Sequence, residues 1–445
     1  MDQTNCMRHL FFVAFIILLY ACNNEGQQTD TTKGFNQLAE RYVRLGLLIG
    51  QYDEVFVDAY YGPDSLKPSG RPNAVFPKDS ILSEISKLQE QIAKYKDGPS
   101  GRDSLQVRAL WMEKQLRAFS RRVKWFSGEK VSFDEEAGEL FDVRPPVYDE
   151  AHFQKLIHSL DSLVPGPGSI RERVLALSKE FIIPKDKVDT VFKAAYFEAK
   201  KRTRAKLSLP DTESFRFEYV TNKSWSGYNW YKGNYQSLIQ QNLDLPIAIE
   251  RAIDLACHEG YPGHHVYNML LEKNLYRERG WVEVSLYPLY SPQSLIAEGS
   301  ANYGIEMAFP GKEKTRFAKD VLFPLAGLDT TKANMYFGML EIKQKLNYAR
   351  NEAARQLLNG SLNDSQASKW MMDYMLVSKE QADKYVSFIK ANHSYVICYN
   401  YGQDLVKHYI ESRGGTASEP DRRWQLFQEL LSNPVTPQTL LSTTN

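Results

Sequence analysis

The sequence predicts a mainly α-helical protein with one small β element. Through most of the 445 residues the apolar positions recur three and four apart, the period of helices with one buried face. Alternation typical of strands is confined to residues 215–239. Hydrophobic residues make up 43% and charged residues 24% of the chain, which excludes wholesale disorder. The formal net charge is +1, so nothing in the composition indicates a nucleic-acid partner.

Residues 1–22 are predicted to be a lipoprotein signal peptide. Arg8 precedes a short apolar run, residues 10–19, which is too short for a comfortable membrane span. The run ends at Leu19-Tyr20-Ala21-Cys22, which resembles the bacterial lipobox, in which the Cys is lipidated and becomes the new N-terminus. A plain secretory signal is the alternative. Polar residues 23–34 are expected to be a flexible tether, so we expect a lipid-anchored protein on the periplasmic or outer-membrane face of the bacterial envelope.

Residues 35–445 are expected to form one large unit that begins with a succession of helices. In residues 103–126 the apolar positions alternate four and three apart, which predicts a helix facing a bundle. Another helix is predicted from Pro184 to about Leu207, and its end is basic over residues 200–204. A solvated helix face is the ordinary interpretation of this basic run, and attraction of a substrate carboxylate is the alternative.

The β element precedes the most informative helix of the chain. Phe215, Phe217 and Tyr219 alternate with polar residues, and a second aromatic-rich stretch covers residues 228–239, with Gly233-Asn234 as its predicted turn. Two interpretations stay open: a sheet whose edge strand pairs with an extended substrate, or a simple hairpin that covers the core.

The next helix, which Asp244 is expected to cap, carries an altered zinc-binding pattern. His258-Glu259 resembles the start of the thermolysin-type signature His-Glu-x-x-His, in which two His on one helix face hold Zn²⁺ and the Glu deprotonates its water. His264 and His265 follow His258 by six and seven residues instead of four. In an unbroken helix His264 would lie about 240° around the axis and His265 about 10.5 Å along it. Neither would reach the ion.

Pro262 and Gly263 provide the necessary distortion. Pro262 cannot donate the helical hydrogen bond to His258, and Gly263 relaxes the restrictions on the backbone. We therefore interpret these two residues as an insertion that bulges the helix and returns either His264 or His265 to the metal.

The third metal ligand is expected on the following helix, which Ser291-Pro292 begins. Glu298 lies there among apolar or small neighbours. A carboxylate buried in such surroundings needs a partner, and zinc proteases of this kind take a carboxylate ligand from a later helix. Glu298 is therefore the expected third ligand.

Residues 312–432 are predicted to be almost entirely helical. Within them residues 393–402 are densely aromatic, and Tyr399 is the candidate that donates a hydrogen bond to a tetrahedral oxyanion, with simple aromatic packing as the alternative. Cys257 and Cys398 are expected to be buried free thiols, with a disulfide between them as the alternative.

Four segments together resemble a bacterial lipoprotein family known as the domain of unknown function numbered eight-eight-five. They are the lipobox, residues 258–265, Glu298-Gly299-Ser300-Ala301-Asn302-Tyr303 and Tyr399-Asn400-Tyr401-Gly402. That family is similar to the helical gluzincins, including the Taq-type carboxypeptidases and the angiotensin-converting-enzyme group, whose motif is His-Glu-x-Gly-His. The resemblance implies a mainly α, gluzincin-like metallopeptidase with a deep cleft.

The resemblance also implies a role for each site residue. Aligning the family's Gly-His with Gly263-His264 makes His258, His264 and Glu298 the ligands of Zn²⁺ and Glu259 the general base. His265 would then contact substrate or support a ligand. The chain departs from the family at Ser300, where Trp is frequent, and at residues 393–396, which replace a more usual Pro-Gly-Gln-Ala. These changes concern the substrate pocket and the oxyanion donors more than the metal.

The expected function is the hydrolysis of peptide bonds in short peptides by zinc-activated water, in a catalytic domain anchored to the membrane through Cys22. Two alternatives stay open. One is a metal-dependent amidase that acts on a non-peptide amide, and the other is a catalytically inactive binding lipoprotein whose insertion has destroyed the site.

Overall fold

The computed structural model describes residues 31–72, 74–97, 101, 104–223 and 225–442. The predicted signal peptide, the lipobox Cys22 and residues 23–30 of the predicted tether lie outside the described residues. Residues 31–34, which the sequence assigned to the tether, are helical. The helix extends a turn ahead of the buried Phe35 and Leu38, so the tether prediction is wrong over these four positions.

Helices form most of the described chain, as the apolar periodicity predicted. In chain order they are α1 (31–50), α2 (Lys78–Ala93), α3 (Leu105–Phe126), α4 (Phe133–Phe141), α5 (Glu150–Leu163), α6 (Ile170–Lys179), α7 (Val188–Arg204), α8 (Glu250–Leu255), α9 (His264–Leu271), α10 (Pro292–Ala308), α11 (Glu313–Phe317), α12 (Phe323–Ala326), α13 (Ala333–Leu346), α14 (Tyr348–Leu358), α15 (Asp364–Tyr374), α16 (Lys379–Asn392), α17 (Ile397–Glu411), α18 (Pro420–Leu431) and α19 (Pro437–Leu441). Wider π-helical turns follow α8 at Ala256–Gly260, α9 at Glu272–Arg277 and α11 at Ala318–Leu322. Buried side chains from α1 to α19 belong to one hydrophobic cluster.

Polar side chains define where several helices begin. Ser104 caps α3 and Asp149 caps α5 by accepting hydrogen bonds from backbone N–H groups of the first turn. Asp244 does not cap α8, which begins six residues later, so that prediction is wrong. Its carboxylate instead accepts hydrogen bonds from the N–H groups of Asn222 and Lys223, at 2.9 and 3.2 Å, because the loop before β3 folds over it.

The predicted β element is a three-stranded sheet. Its strands are β2 (Ser214–Val220), β3 (Gly227–Gly233) and β4 (Gln236–Asn242). The central strand β4 pairs in parallel with β2 and antiparallel with β3, so the element is larger than a simple hairpin. Two further strands, β1 (Val57–Tyr60) and β5 (Leu286–Pro288), form a separate antiparallel pair.

Helices α10 and α17 cross at close range through two glycines. A Cβ atom on Gly299 would lie 2.4 Å from the carbonyl of Gly402, and one on Gly402 would lie 2.6 Å from the carbonyl oxygen of Leu295. Both contacts involve backbone atoms, which cannot rotate aside as a flexible side chain can. The crossing therefore requires glycine on both helices, and it brings Glu298 beside the aromatic residues at the start of α17.

Both Cys257 and Cys398 are free and buried, as predicted. No helix in the described part of the chain combines the length and apolarity that crossing a bilayer requires.

Replacement of Gly402 by Ala tests the crossing. We expect Gly402→Ala to lower the free energy of unfolding by about 1–3 kcal/mol, because the added methyl group overpacks the contact with α10. Chemical denaturation with a helical circular-dichroism signal measures the change. The matched control is Gly138→Ala in α4, where a Cβ meets nothing within 4 Å, and stability there is expected to stay constant or rise by about 0.4–1 kcal/mol. Equal effects at the two positions would contradict the close contact.

Candidate metal centre

The candidate metal-binding segment lies on a helix that widens and then breaks. In the π turn after α8, the N–H of Tyr261 donates to the carbonyl of Ala256 at 2.9 Å. The N–H of Gly263 then reaches back to the carbonyl of Cys257 at 2.9 Å, and α9 begins at the next residue. A Cβ on Gly263 would lie 2.0 Å from the carbonyl oxygen of His258, so this return requires glycine.

The break brings His264 back to His258. Their Nε2 atoms lie 3.1 Å apart. Glu298 of α10 places its Oε2 atom 3.2 Å from Nε2 of His258 and 3.7 Å from Nε2 of His264. Ligand atoms of a tetrahedral zinc ion, with bonds of about 2.0–2.1 Å, are about 3.3 Å apart. Among the described residues, these three form the group of His, Cys, Asp and Glu side chains that has the spacing of metal ligands.

The residues present fit a zinc ion. Oε2 of Glu298 is buried and accepts no hydrogen bond in the described part of the chain, where its neighbours are the two imidazoles, whereas Oε1 accepts a hydrogen bond from the hydroxyl of Tyr395 at 2.8 Å. A buried carboxylate oxygen without a partner is unfavourable, and a cation at this point would compensate it. Two imidazoles and one carboxylate are also a usual donor set of catalytic zinc. The side chains of His258 and His264 remain 13% and 12% exposed, so the group is open to solvent on one side.

A neighbouring amide sets the tautomer of His258. The side-chain NH₂ of Asn302 donates to the backbone carbonyl of Tyr399 at 2.7 Å, so its oxygen faces His258 Nδ1, at 2.9 Å. His258 therefore carries its hydrogen on Nδ1 and presents the lone pair of Nε2 to the other two ligands. Such a hydrogen bond to the second ring nitrogen is typical of metal-binding histidines.

The charges of the group are strongly coupled. Burial lowers the pKa of His264, but the carboxylates of Glu298, Glu259 and Asp58 outweigh it and raise the pKa to about 9. Burial raises the pKa of Glu298, but His264 and His258 overcome this effect and hold the pKa well below its ordinary value. In the metal-free protein at neutral pH the carboxylate is thus ionised and His264 carries a proton, which a metal ion must displace.

Glu259, the predicted base, lies next to these ligands on the π turn and is buried. Strand β3 covers it: the side-chain NH₂ of Asn229 donates to the Glu259 carbonyl at 2.6 Å. A Cβ on Gly227 would lie 3.1 Å from Oε1 of Glu259, so the bare glycine leaves room for the carboxylate. The small sheet therefore positions the residue that is expected to move the proton.

Tyr399 and Tyr395 approach the group from α17 and the turn before it. The ring of Tyr399 lies nearly parallel to that of His258, with centroids 6.5 Å apart. Burial and the charge of Glu298 hold the pKa of Tyr399 above its ordinary value, so the phenol stays protonated and able to donate. His393, in the same aromatic segment, is engaged elsewhere: its Nδ1 lies 2.9 Å from Glu136 and its ring stacks on Trp125.

His265 lies in a separate polar cluster behind α9. Its Nδ1 is 2.8 Å from Oγ of Ser237, its Nε2 is 3.1 Å from Oε2 of Glu213, and its side chain is fully buried. Both ring nitrogens are occupied and no surface of the ring is open, so the structure does not place His265 where a substrate would touch it. Its geometry suits a supporting role that fixes α9 to the sheet.

The basic run at the end of α7 is not simply a solvated helix face, as the sequence suggested, because two of its residues pair with Glu213. Lys200 and Arg204 pair with its buried carboxylate at 2.9 and 2.6 Å, and Tyr261 donates to it as well. These basic residues are therefore partly committed to an internal ion pair, because the chain after α7 brings Glu213 back beside that helix.

Two neighbours of the group were not identified from the sequence. Asn302 follows Glu298 by four residues and so lies on the same helix face, a spacing that is visible in the sequence. Asp58 on β1 has no such signal, since about 200 residues separate it from His258. Its carboxylate accepts a hydrogen bond from the hydroxyl of Tyr228, and burial raises its pKa to about 6 against the opposing effects of Tyr228 and His264.

Comparison with protein-family models and with curated proteins finds no match for this chain. Among solved structures it is similar to a proposed lipoprotein from Colwellia psychrerythraea, at a TM-score of 0.51 and 14% identity, over 81% of this chain and 65% of that one. Metallocarboxypeptidase 1 of Trypanosoma cruzi is similar at a TM-score of 0.42 and 13% identity, over 93% and 96% of the two chains. At such identity the first likeness concerns the fold alone.

The ligand geometry predicts that purified protein binds one zinc ion per chain. We expect His264→Ala to abolish stoichiometric binding, because two remaining ligands no longer enclose the ion. Atomic absorption after dialysis, with competition by a chromogenic chelator, measures the zinc content. The control is His408→Ala, which removes an exposed histidine on α17 and is expected to keep the zinc. Retention of zinc by the His264 variant would exclude this ligand set.

The raised pKa of His264 predicts a pH dependence of zinc affinity. A pKa of about 9 in the metal-free protein means that zinc displaces one proton at any pH well below that value. Between pH 6.5 and 8 the apparent affinity should therefore rise by about tenfold per pH unit. Calorimetry in buffers of different ionisation enthalpy counts the protons released. An affinity that does not change with pH would show that His264 is already neutral before zinc binds.

Proposed function

We propose that the chain is a zinc-dependent hydrolase that cleaves peptide bonds in short peptides. The observation that carries the proposal is the convergence of His258, His264 and Glu298. Glu259 follows His258 directly in the chain, and its charge acts on His264. The distances of 3.1–3.7 Å between the ligand atoms argue against the alternative in which the insertion has destroyed the site. In that case the two histidines would point to different places.

Each residue has a definite task in this proposal. His258, His264 and Glu298 would hold the zinc ion, which when bound supplies a Lewis acid and lowers the pKa of water. Glu259 accepts the proton of the attacking water and delivers it to the leaving amine, so that one carboxylate serves as base and then as acid. The protonated phenol of Tyr399 donates a hydrogen bond to the oxygen that becomes negative.

Two further side chains orient the groups that react. Asn302 keeps the lone pair of His258 Nε2 turned toward the other two ligands. Tyr395 holds Glu298 by donating a hydrogen bond to Oε1, the oxygen that does not face the imidazoles. A metal-dependent amidase that acts on non-peptide amides would use the same residues, so short peptides and acyl amides are tested side by side.

We also propose that the protein acts at a membrane surface. The support is the sequence around Cys22, where an apolar run ends in a lipobox-like tetrapeptide. Radiolabelled palmitate incorporated by the wild-type chain and lost in Cys22→Ser would support lipidation at this residue, and a plain secretory signal would leave both unlabelled.

Replacement of Glu259 by Gln is the decisive test of the mechanism. We expect Glu259→Gln to lower kcat for a fluorogenic short peptide by about 10²- to 10⁴-fold, because the amide cannot accept the proton of water. Zinc content should be unchanged, since Glu259 is not one of the three ligands. The matched control is Glu341→Gln, an exposed position on α13, which should retain full activity. Unchanged hydrolysis in the Glu259 variant would show that another group is the base.

A further inference from the structure

A buried carboxylate lies behind the break in the metal-binding helix. Glu213 directly precedes β2, and its side chain is fully buried. Burial raises the pKa of Glu213, but hydrogen bonds from His265, Tyr261, Arg204 and Lys200 overcome this effect and hold the pKa well below its ordinary value. The carboxylate is therefore ionised at neutral pH. A buried charge needs partners for both of its oxygens, and here the two oxygens have different partners.

One oxygen of Glu213 is anchored on α7. Oε1 pairs with Nζ of Lys200 at 2.9 Å and with Nη2 of Arg204 at 2.6 Å. Nε of Arg204 also donates to Oε1, at 3.2 Å. Helix α7 packs against α8 and against the π turn that follows it. These contacts therefore fix Glu213 to the helix that lies behind the metal-binding segment.

The other oxygen joins the two sides of the break. Just before Pro262-Gly263, the hydroxyl of Tyr261 donates a hydrogen bond to Oε2 of Glu213. Just after the break, Nε2 of His265 lies 3.1 Å from the same oxygen. An ionised carboxylate only accepts hydrogen bonds, so this nitrogen carries a hydrogen and donates it. The second ring nitrogen, Nδ1, lies 2.8 Å from Oγ of Ser237 on β4.

These contacts affect His264 through the geometry of the helix start. Helix α9 begins at His264, and consecutive residues of a helix point about 100° apart. When the ring of His265 is held by Glu213 and Ser237, the first turn of α9 cannot rotate about its axis. The adjacent His264 is then kept where its Nε2 atom lies 3.1 Å from that of His258.

The break itself provides few contacts that would hold this orientation. Pro262 has no N–H to donate, and Gly263 has a hydrogen bond to Cys257 but no side chain. Among the described residues no side chain caps the start of α9. A glycine loses more conformational freedom on folding than any other residue, so a Pro-Gly segment depends on the residues beside it to keep one conformation. Glu213 contacts both of those residues with a single atom.

We propose that Glu213 is a positioning residue of the candidate metal centre. Its carboxylate holds Tyr261 and His265 on the two sides of Pro262-Gly263 and thereby fixes the direction in which His264 presents its ring to a metal ion. The inference rests on the ligand set of the proposed function and adds to it a residue outside that set. The contacts of Glu213 with described residues include none of the three ligands, so Glu213 acts through the segment that it holds.

The test measures metal binding in variants of Glu213. We expect Glu213→Gln to lower the apparent zinc affinity by about 10- to 100-fold, the range typical of residues that orient metal ligands. Competition with a chromogenic chelator measures this affinity. The visible absorption of the Co²⁺-loaded protein should also change, because it reports the arrangement of the ligand atoms around the ion, which a merely structural role would leave as it is. Glu213→Asp, which keeps the carboxylate, should recover part of the affinity.

Two further variants serve as control and as second test. Glu283→Gln removes the carboxylate of another buried ion pair, in which Glu283 lies 2.6 Å from Arg108. It should lower the stability to unfolding by a similar amount and leave zinc affinity and the Co²⁺ spectrum unchanged. Tyr261→Phe removes one contact of Glu213 but keeps its ion pairs with α7, and should lower zinc affinity by about two- to tenfold. This second variant decides the matter if Glu213→Gln does not fold.

The outcomes distinguish this inference from the proposed function. If the folded variants of Glu213 and Tyr261 bind zinc as tightly as the wild type and give the same Co²⁺ spectrum, Glu213 only stabilises the fold and the inference is overturned, while the proposed function stands. An equal loss of zinc affinity in Glu283→Gln would overturn it as well. If zinc binding depends on Glu213 but no peptide is hydrolysed, the proposed function fails and the inference stands. If the wild type binds no zinc, both fail.

Discussion

The return of the chain onto its own helix at Gly263 is the constraint on which the candidate site depends. The hydrogen bond from Gly263 N–H to the Cys257 carbonyl closes a turn two residues wider than that of an α-helix, and only the absence of a side chain permits it. Without this turn His264 would project from a different face than His258. Backbone geometry, more than any side-chain contact, therefore determines that two imidazoles point to one place.

A second helix must then deliver a carboxylate to the same point. Glu298 lies on α10, and the contact between Gly299 and Gly402 sets how closely α10 approaches α17. Because the helices are in backbone contact, Tyr395 can hold one oxygen of Glu298 while the other faces the imidazoles. The carboxylate is thus oriented by packing before any ligand is present, and its free oxygen is the part of the site that a cation would satisfy.

Further charged side chains lie around these ligands. Besides Glu298, the carboxylates of Glu259 and Asp58 raise the pKa of His264. Strand β3 covers Glu259, and Asp58 lies on β1 of the other sheet. The cation of Arg350 lies on the ring of Tyr399, with its guanidinium carbon 5.3 Å from the ring centroid.

The helical class, the small β element and the residues of the candidate metal centre were predictable from the sequence, because periodicity, turn residues and a dense His-Glu pattern are all local signals. It did not decide between His264 and His265, since that choice depends on how far the chain turns at Gly263. Tertiary structure alone decided that His265 is enclosed by Glu213 and Ser237, and that Asp58 lies close enough to His264 to raise its pKa. The contacts of His265 with Ser237 and Glu213 join residues 28 and 52 positions apart; they arise from packing, and no local pattern of amino acids encodes them.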